Sequence, residues 1–243
     1  MPIFSRSGET DFTLIEVEVV LPIHRYLTLT ICCLSALICY PLHVFGQKAE
    51  EHYNDGTNLL NKGKIRGAIS ELKKATEMKP DLAPAHFNLG KAYERNRSPK
   101  SATASYKRAI KYKADEPKYH MSLGRIYKKR KMIGKAIASY RKAAKLDPKN
   151  GQIHFRLGNA YLEREALDKA VESYNKALKL KYRKRARVYL NLGIAYQKLE
   201  NNPEAVKAYE TYLKASPKAS NSKQIREIIE GIHKQIEYDE GRK

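Results

Sequence analysis

Four histidines recur at one fixed spacing, and histidine is the commonest metal ligand among side chains. They are His52, His86, His120 and His154, and the interval between successive members is the same each time. A shared metal ion would need ligand nitrogens that converge to about 2 Å from it. Equivalent positions in stacked helical repeats lie roughly 10 Å apart, about one helix diameter. The pattern therefore favours a packing residue with a polar tip, and we expect neither a metal nor a cofactor.

Short catalytic motifs are absent from the sequence. It contains no phosphate-binding G-x-x-x-x-G-K-[ST] loop, no H-E-x-x-H, no C-x-x-C and no G-x-S-x-G. The repeats described next occupy nearly all of the chain after residue 46, which leaves little room for a catalytic domain. We therefore expect a protein that is not an enzyme.

The recurring histidines are part of a longer sequence pattern that occurs five times. Glycine recurs at a constant interval, lengthened by one residue in its last step, at Gly56, Gly90, Gly124, Gly158 and Gly193. Alanine follows each glycine at a fixed distance, at Ala68, Ala102, Ala136, Ala170 and Ala205. Tyrosine follows the alanine by four positions in the last four copies, at Tyr106, Tyr140, Tyr174 and Tyr209. Small residues let two helices approach closely, and the large rings fill the space around that contact.

This pattern resembles the tetratricopeptide repeat, a unit of about 34 residues that folds as two helices. The matching positions cover residues 49–217. The resemblance implies an all-α, right-handed solenoid of antiparallel helix pairs. The predicted helices span 49–61, 65–78, 83–96, 99–112, 117–130, 133–146, 151–164, 167–180, 186–199 and 202–215. An amphipathic stretch at 222–237 predicts a C-terminal capping helix, because terminal repeats need a polar outer face.

In tetratricopeptide arrays the first helix of each pair lines a concave groove, so the resemblance also implies which positions meet a ligand. Large residues precede each glycine by three positions: Tyr53, Phe87, Met121, Phe155 and Leu190. They predict a row of apolar anchors, although half-buried core residues would show the same pattern. The polar and basic residues of the predicted groove are Asn88, Lys91, Lys118, Arg125 and Arg156. Such a site suits an acidic peptide with hydrophobic anchors.

The net charge is +21, from 47 Lys and Arg against 26 Asp and Glu. One basic cluster lies in the third copy and comprises Lys128, Lys129, Arg130 and Lys131. A second surrounds the one-residue insertion between the fourth and fifth copies and comprises Lys181, Arg183, Lys184, Arg185 and Arg187. These clusters are either a solvated face or a surface that docks anionic lipid, cell-wall polymer or, less readily, nucleic acid.

The segment before the repeats resembles a secretory signal peptide. Leu27–Tyr40 is an apolar run, with Arg25 before it and Pro41 after it. A retained membrane anchor is the alternative interpretation. Residues 1–23 carry an acidic stretch that is unusual in signal peptides, which suggests a misassigned start. All three cysteines lie inside the apolar run, so cleavage would leave a chain without cysteine.

The sequence thus predicts three regions: an N-terminal signal or anchor at 1–46, five repeats at 47–218, and a capping helix with a tail at 219–243. The predicted function is a non-catalytic scaffold that is exported across, or anchored in, the cytoplasmic membrane. Its predicted partner is an acidic protein or peptide, with an anionic membrane or cell-wall polymer as the alternative. The oligomeric state is not indicated.

Overall fold

The computed structural model describes residues 47–241, so the predicted signal or anchor segment at 1–46 lies outside the described residues. Within them the chain forms eleven helices and no strands. The helices are α1 (47–61), α2 (Ile65–Met78), α3 (Ala83–Arg95), α4 (Pro99–Tyr112), α5 (Pro117–Lys129), α6 (Ile133–Leu146), α7 (Gly151–Glu163), α8 (Leu167–Lys179), α9 (Arg185–Lys198), α10 (Asn202–Ala215) and α11 (Ser222–Glu240). The all-α solenoid is confirmed, and the predicted bounds of α2–α10 agree to within one residue.

A contact between glycine and tyrosine holds each later helix pair together. A Cβ atom added to Gly124 would lie 2.7 Å from the Tyr140 ring, and one added to Gly158 would lie 2.6 Å from the Tyr174 ring. Real Cβ atoms do not approach so closely, so only glycine admits the ring at these positions. The repeating glycine and tyrosine of the sequence are therefore the two halves of one contact, which we call the glycine–tyrosine lock.

The hydroxyl of each lock tyrosine reaches the layer of first helices. Tyr174 donates a hydrogen bond to Asn159 Oδ1 at 2.8 Å, and Tyr209 donates one to Gln197 Oε1 at 2.8 Å. Burial raises the pKa of Tyr209 to about 12. The hydroxyl therefore stays protonated at neutral pH and remains a donor.

Side-chain hydrogen bonds connect successive first helices of the solenoid. Asn88 Nδ2 of α3 donates to Thr57 Oγ1 of α1 at 2.9 Å, and Asn191 Nδ2 of α9 donates to Asn159 Oδ1 of α7 at 2.7 Å. Between residues 47 and 241, no such side-chain bond joins one second helix to the next. The first helices are thus joined to one another directly in one layer, and the second helices α2, α4, α6, α8 and α10 form the other layer.

The one-residue insertion changes the turn between α8 and α9. Lys181 takes a left-handed conformation with φ of 53°, and the Tyr182 N–H bonds back to the Ala177 carbonyl at 3.1 Å. The turns within pairs use the same geometry, with positive φ at Arg97, Lys131, Glu165 and Glu200. The insertion has therefore converted a turn between pairs into the type found within pairs, and it directs Tyr182 back towards α7.

The last helix covers the end of the array, as predicted. Ile225 and Ile232 of α11 are buried against Tyr209 and Tyr212 of α10. The other face of α11 carries exposed charged residues. The helix extends to Glu240, beyond the predicted end at 237.

Replacing glycine by alanine should change the free energy of unfolding in opposite directions at two helical positions. Gly124→Ala should lower the free energy of unfolding by about 1–3 kcal/mol, because the methyl group overpacks against Tyr140. Gly231→Ala should raise it by about 0.5–1 kcal/mol, because α11 has open space there and alanine favours a helix. Urea unfolding followed by circular dichroism measures both. A stabilised Gly124→Ala protein would contradict the lock.

Three of the recurring histidines connect the start of their helix to the preceding turn by a hydrogen bond. His86 Nε2 lies 2.8 Å from the Pro80 carbonyl oxygen, His120 Nε2 2.8 Å from that of Ala114, and His154 Nε2 3.0 Å from that of Pro148. The ring of His86 also stacks on Tyr112 at 5.6 Å between centroids. These contacts fit the expected packing role with a polar tip. No cluster of His, Cys, Asp or Glu within residues 47–241 could hold a metal ion.

Mild acid should destabilise the fold through two of these histidines. Burial lowers the pKa of His86 and of His154 from 6.5, and Arg108 and Lys176 respectively add to the lowering. The unfolded chain therefore binds protons first, so the free energy of unfolding should fall as the pH drops below about 6.5.

Urea unfolding at about pH 7.5 and about pH 5.5 measures this loss. The double replacement His86→Gln with His154→Gln should make it smaller, since glutamine keeps a donor but does not titrate in this range. The exposed His233→Gln change serves as the control. An unchanged loss in the double variant would refute the assignment.

Candidate peptide-binding groove

The candidate groove is the surface of the first helices α1, α3, α5, α7 and α9, and aromatic packing supports its predicted apolar row. Phe87 is half-buried, with its ring centroid 4.7 Å from that of Tyr119 and 5.7 Å from that of Tyr106. The Lys91 Nζ atom lies 5.7 Å above the Phe87 ring. Tyr53, Met121 and Leu190 are half-buried in the equivalent positions. Part of each side chain therefore remains open to a ligand.

Phe155 differs from the other members of this row. Only 6% of it is exposed, and its ring packs 5.2 Å from Tyr182 and 6.1 Å from Tyr174. Tyr182 comes from the turn that contains the insertion, so the extra residue covers Phe155. This side chain supports the groove from below rather than offering a free surface. Asn88 is similarly buried, with its amide bonded to Thr57.

A cleft of about 300 Å³ opens between α5 and α7 and collects positive charge. Its lining comprises Arg125, Lys128, Lys129, Lys131, Tyr140, Arg156 and Glu163. Arg125 and Arg156 were predicted for the groove. Lys128, Lys129 and Lys131 were predicted for a separate basic surface that binds anionic partners. The structure brings them together in one site with five cations and one carboxylate.

Glu94 neutralises one side of this cleft. Its carboxylate accepts hydrogen bonds from Arg125 Nη2 at 2.7 Å, Lys129 Nζ at 2.7 Å and the Tyr106 hydroxyl at 3.1 Å. Only 8% of the Glu94 side chain is exposed, so these partners satisfy a buried charge. Lys128 makes a further ion pair with Glu163 at 3.0 Å. Three of the five cleft cations are thus already paired.

Arg156 and Lys131 are the two cleft cations that no carboxylate of the described range neutralises. Lys131 is exposed to solvent, whereas Arg156 is half-buried and its Nε atom is buried without a hydrogen-bond partner. Burial raises the pKa of Tyr140, and the nearby Arg156 opposes that rise through its charge and a hydrogen bond to the phenol. A half-buried guanidinium held beside a phenol is a strong site for a carboxylate.

The groove cations of neighbouring helices repel one another. Burial lowers the pKa of Lys91, and the charges of Arg95, Arg125 and Lys118 lower it further. Lys118 has its own partial partner, with Nζ 3.5 Å from Glu116. The free groove therefore holds positive charge that an anionic ligand would relieve.

The second predicted basic cluster lies apart from the cleft, in the α8–α9 turn and at the start of α9. Its five residues are exposed, and none makes an ion pair with the described part of the chain: Lys181, Arg183, Lys184, Arg185 and Arg187. Within residues 47–241 their side chains make a single hydrogen bond, from Arg185 Nη2 to the Tyr189 hydroxyl at 3.3 Å. The remaining member of the first cluster, Arg130, donates to Thr103 Oγ1 at 3.1 Å.

The sequence analysis did not identify the acidic residues that neutralise cations of the cleft, or the tyrosine that lines it. Glu94 lies 31 residues before Arg125 and 35 before Lys129, and Glu163 lies about one repeat after Lys128. A search for opposite charges about one repeat apart would have found these pairs. Tyr140 was assigned to packing alone, although its hydroxyl also faces the cleft.

An all-α array of consecutively packed helix pairs defines a repeat scaffold. Two family models match this chain: the "TPR repeat" model at 56–96, 124–164 and 158–200, and the "Tetratricopeptide repeat" model at 83–116 and 186–218. The chain belongs to the tetratricopeptide repeat (TPR) family. No curated protein matches its sequence.

Several solved structures are similar over most of the described residues. The crystal structure of MamA protein shares 26% identity, with a TM-score of 0.67, over 71% of this chain and 94% of that one. YrrB, titled a TPR protein with an unusual peptide-binding site, shares 18% identity with a TM-score of 0.67 over 75% and 97%. PilF of Pseudomonas aeruginosa shares 20% with a TM-score of 0.61 over 80% and 92%. These last two likenesses show the fold alone.

The chain is therefore a TPR scaffold, a fold suited to protein interaction. TPR proteins are generally non-catalytic. None of the helices within residues 47–241 combines the length and hydrophobicity needed to cross a membrane.

Proposed function

We propose that this protein captures an extended acidic peptide segment in its groove and acts as an interaction scaffold. The observation that carries the proposal is that unneutralised positive charge and half-buried apolar side chains lie on the same layer of helices. Arg156 supplies the unpaired charge, and Phe87 and Met121 supply half-buried apolar surface, with Lys91 Nζ 5.7 Å from the Phe87 ring centroid. YrrB is described as having a peptide-binding site, and the shared fold makes a peptide a reasonable ligand here.

The electrostatics favour an acidic ligand over a neutral one. Lys91 is repelled by three neighbouring cations, and a carboxylate between them would relieve that repulsion. Binding should therefore raise the pKa of Lys91 towards its ordinary value and be accompanied by proton uptake at alkaline pH. Charge also steers the encounter, while the apolar contacts slow dissociation. Ordering an extended segment offsets part of this gain, so we expect modest affinity.

A peptide selection tests the proposal directly. A phage-displayed library of random peptides is selected against the full chain, and the selected sequences should be acidic with spaced apolar residues. The double replacement Phe87→Ala with Met121→Ala should then weaken a selected synthetic peptide about 30-fold. This corresponds to the loss of about 1 kcal/mol for each half-open apolar side chain. Isothermal titration calorimetry measures the affinity.

A matched control makes the same kind of truncation far from the groove. Ile228 and Ile229 are half-buried on α11, and replacing both by alanine should leave peptide affinity unchanged. Circular dichroism of all variants checks that the helices remain folded. Equal affinity of the groove variant and the wild-type protein would refute peptide capture in the groove.

We also propose that the scaffold works outside the cytoplasm or at its membrane, on the support of the apolar run Leu27–Tyr40. Intact mass and N-terminal sequencing of the protein from its native cell, after fractionation, test this location. A chain that begins near Gln47 outside the cytoplasm would indicate cleavage. A chain that keeps the run in the membrane fraction would indicate an anchor. A full-length chain in the cytosol would refute both.

A further inference from the structure

The outer faces of α4 and α6 carry basic residues without any acidic residue. Neither Pro99–Tyr112 nor Ile133–Leu146 contains Asp or Glu. Together the two helices expose eight cations: Lys100, Lys107, Arg108, Lys111, Lys135, Arg141, Lys142 and Lys145. We call this set the outer basic face. It lies on the second helices, on the opposite side of the solenoid from the groove.

The cations of the outer basic face have no partners of opposite charge. None of the eight takes part in an ion pair within residues 47–241, whereas Arg125, Lys128 and Lys129 in the groove are all paired. The neighbouring second helices do carry acids, with Glu71 and Glu77 on α2 and Asp168 and Glu172 on α8. Among the second helices α2, α4, α6, α8 and α10, the absence of acidic residues is therefore confined to the adjacent pair α4 and α6.

The repeat arranges this charge in rows. Lys107 and Arg141 occupy equivalent positions in successive copies, as do Arg108 and Lys142, and Lys111 and Lys145. The small exposed residues Ala104 and Ala138 lie one helical turn before these rows on the same face. The surface therefore offers a regular array of long, exposed cationic side chains on two adjacent second helices.

We propose that the outer basic face docks on an anionic lipid bilayer. Six of its eight cations are lysines, whose point charges attract phosphates without directional pairing. Single-stranded nucleic acid is better held in a basic groove with aromatic stacking platforms, whereas the exposed residues of α4 and α6 include one aromatic side chain, Tyr112. Its ring is already stacked on His86, and Lys111 Nζ lies 5.5 Å from the ring centroid.

The sequence before the solenoid adds a second reason for a lipid partner. The apolar run Leu27–Tyr40 ends shortly before residue 47, where α1 begins in the described range. An extended linker of that length reaches at most about 25 Å. If the run stays in the bilayer, the solenoid is held within reach of the lipid headgroups. The proposal itself needs only the charge of the face and is independent of peptide capture in the groove.

Vesicle co-sedimentation of the full chain tests the proposal. The readout is the extra binding to vesicles containing phosphatidylglycerol over vesicles of pure phosphatidylcholine, because residues 27–40 can partition into both. The quadruple replacement Lys107→Gln, Arg108→Gln, Arg141→Gln and Lys142→Gln should reduce this extra binding roughly 1,000-fold. Glutamine keeps helix propensity, so the outer positions should tolerate it.

The control removes the same number of charges elsewhere on the surface. Lys207, Lys214, Lys218 and Arg226 are exposed at the C-terminal end, and replacing these four by glutamine should leave most of the extra binding intact. Equal losses in both quadruple variants would overturn the proposal, since net charge alone would then explain the binding. Absence of extra binding in the wild-type chain would overturn it too. Tighter binding to duplex DNA than to the anionic vesicles at the same salt concentration would also overturn it.

Discussion

Replacing Tyr174 by alanine is expected to lower the free energy of unfolding by about 3–5 kcal/mol. The side chain is fully buried, and its ring fills the space that Gly158 leaves open. Removing the ring creates a cavity between α7 and α8, and Asn159 Oδ1 loses one of its hydrogen-bond donors. Because Tyr174 lies in the fourth of five coupled helix pairs, the loss should also broaden the unfolding transition. Urea unfolding followed by circular dichroism measures both effects.

Two related variants separate the contribution of the Tyr174 ring to stability from that of its hydroxyl, and from the effect of removing an exposed tyrosine. Tyr174→Phe keeps the ring and should cost only about 1 kcal/mol, since Asn159 Oδ1 still accepts a bond from Asn191. Tyr112→Ala removes a tyrosine that is 40% exposed and should cost less than about 1 kcal/mol. The assignment of Tyr174 to the core would be untenable if Tyr174→Ala and Tyr112→Ala were equally stable.

Arg156→Glu is expected to weaken the binding of a selected acidic peptide about 100-fold. The change removes a charge-assisted hydrogen bond of about 1.5–3 kcal/mol and places a like charge opposite the ligand. The neutral replacement Arg156→Gln should weaken binding only about tenfold, because it removes the attraction without adding repulsion. Titration calorimetry with one peptide compares the variants, and thermal unfolding checks their folding.

Arg164→Glu is the matched control for this charge reversal. Arg164 is exposed just beyond α7, and its Nη1 atom points towards Gly134 at the start of α6 rather than into the cleft. Both reversals change the net charge equally, so a long-range field would weaken binding equally in both. We expect Arg164→Glu to change the affinity less than about threefold, because exposed charges are screened. Comparable losses in the two variants would remove Arg156 from the binding site.

The helix bounds could be predicted from sequence because the packing contacts recur in phase. The glycine of the lock returns once in every repeat and its tyrosine in the last four, with Leu72 against Gly56 in the first, and each pair fixes how two helices meet. A single register therefore explains α1–α10 at once. The insertion after Leu180 was visible as one lengthened interval, but its effect on Phe155 was not. That effect depends on the left-handed turn at Lys181, which directs Tyr182 onto the Phe155 ring.

The distribution of charge could not be predicted from windows along the chain. Residues 117–150 are strongly basic as a window, yet Lys128 and Lys129 face the groove and are paired, while Arg141 and Lys142 face outwards and are unpaired. A window along a helix pair mixes the two faces of the solenoid. Residues that share a face are one repeat apart in sequence, so charge must be compared between copies rather than along one.

The glycine–tyrosine lock also bears on how such an array can evolve. The glycine and the tyrosine of each lock lie in the same helix pair, so a duplicated repeat brings both residues of the contact with it. The array can lengthen by one unit without inventing new packing between the two helices. Because the lock leaves the inner face of the first helices and the outer face of the second helices unconstrained, those surfaces are free to diverge between copies. New binding specificities can then arise while the architecture is inherited unchanged.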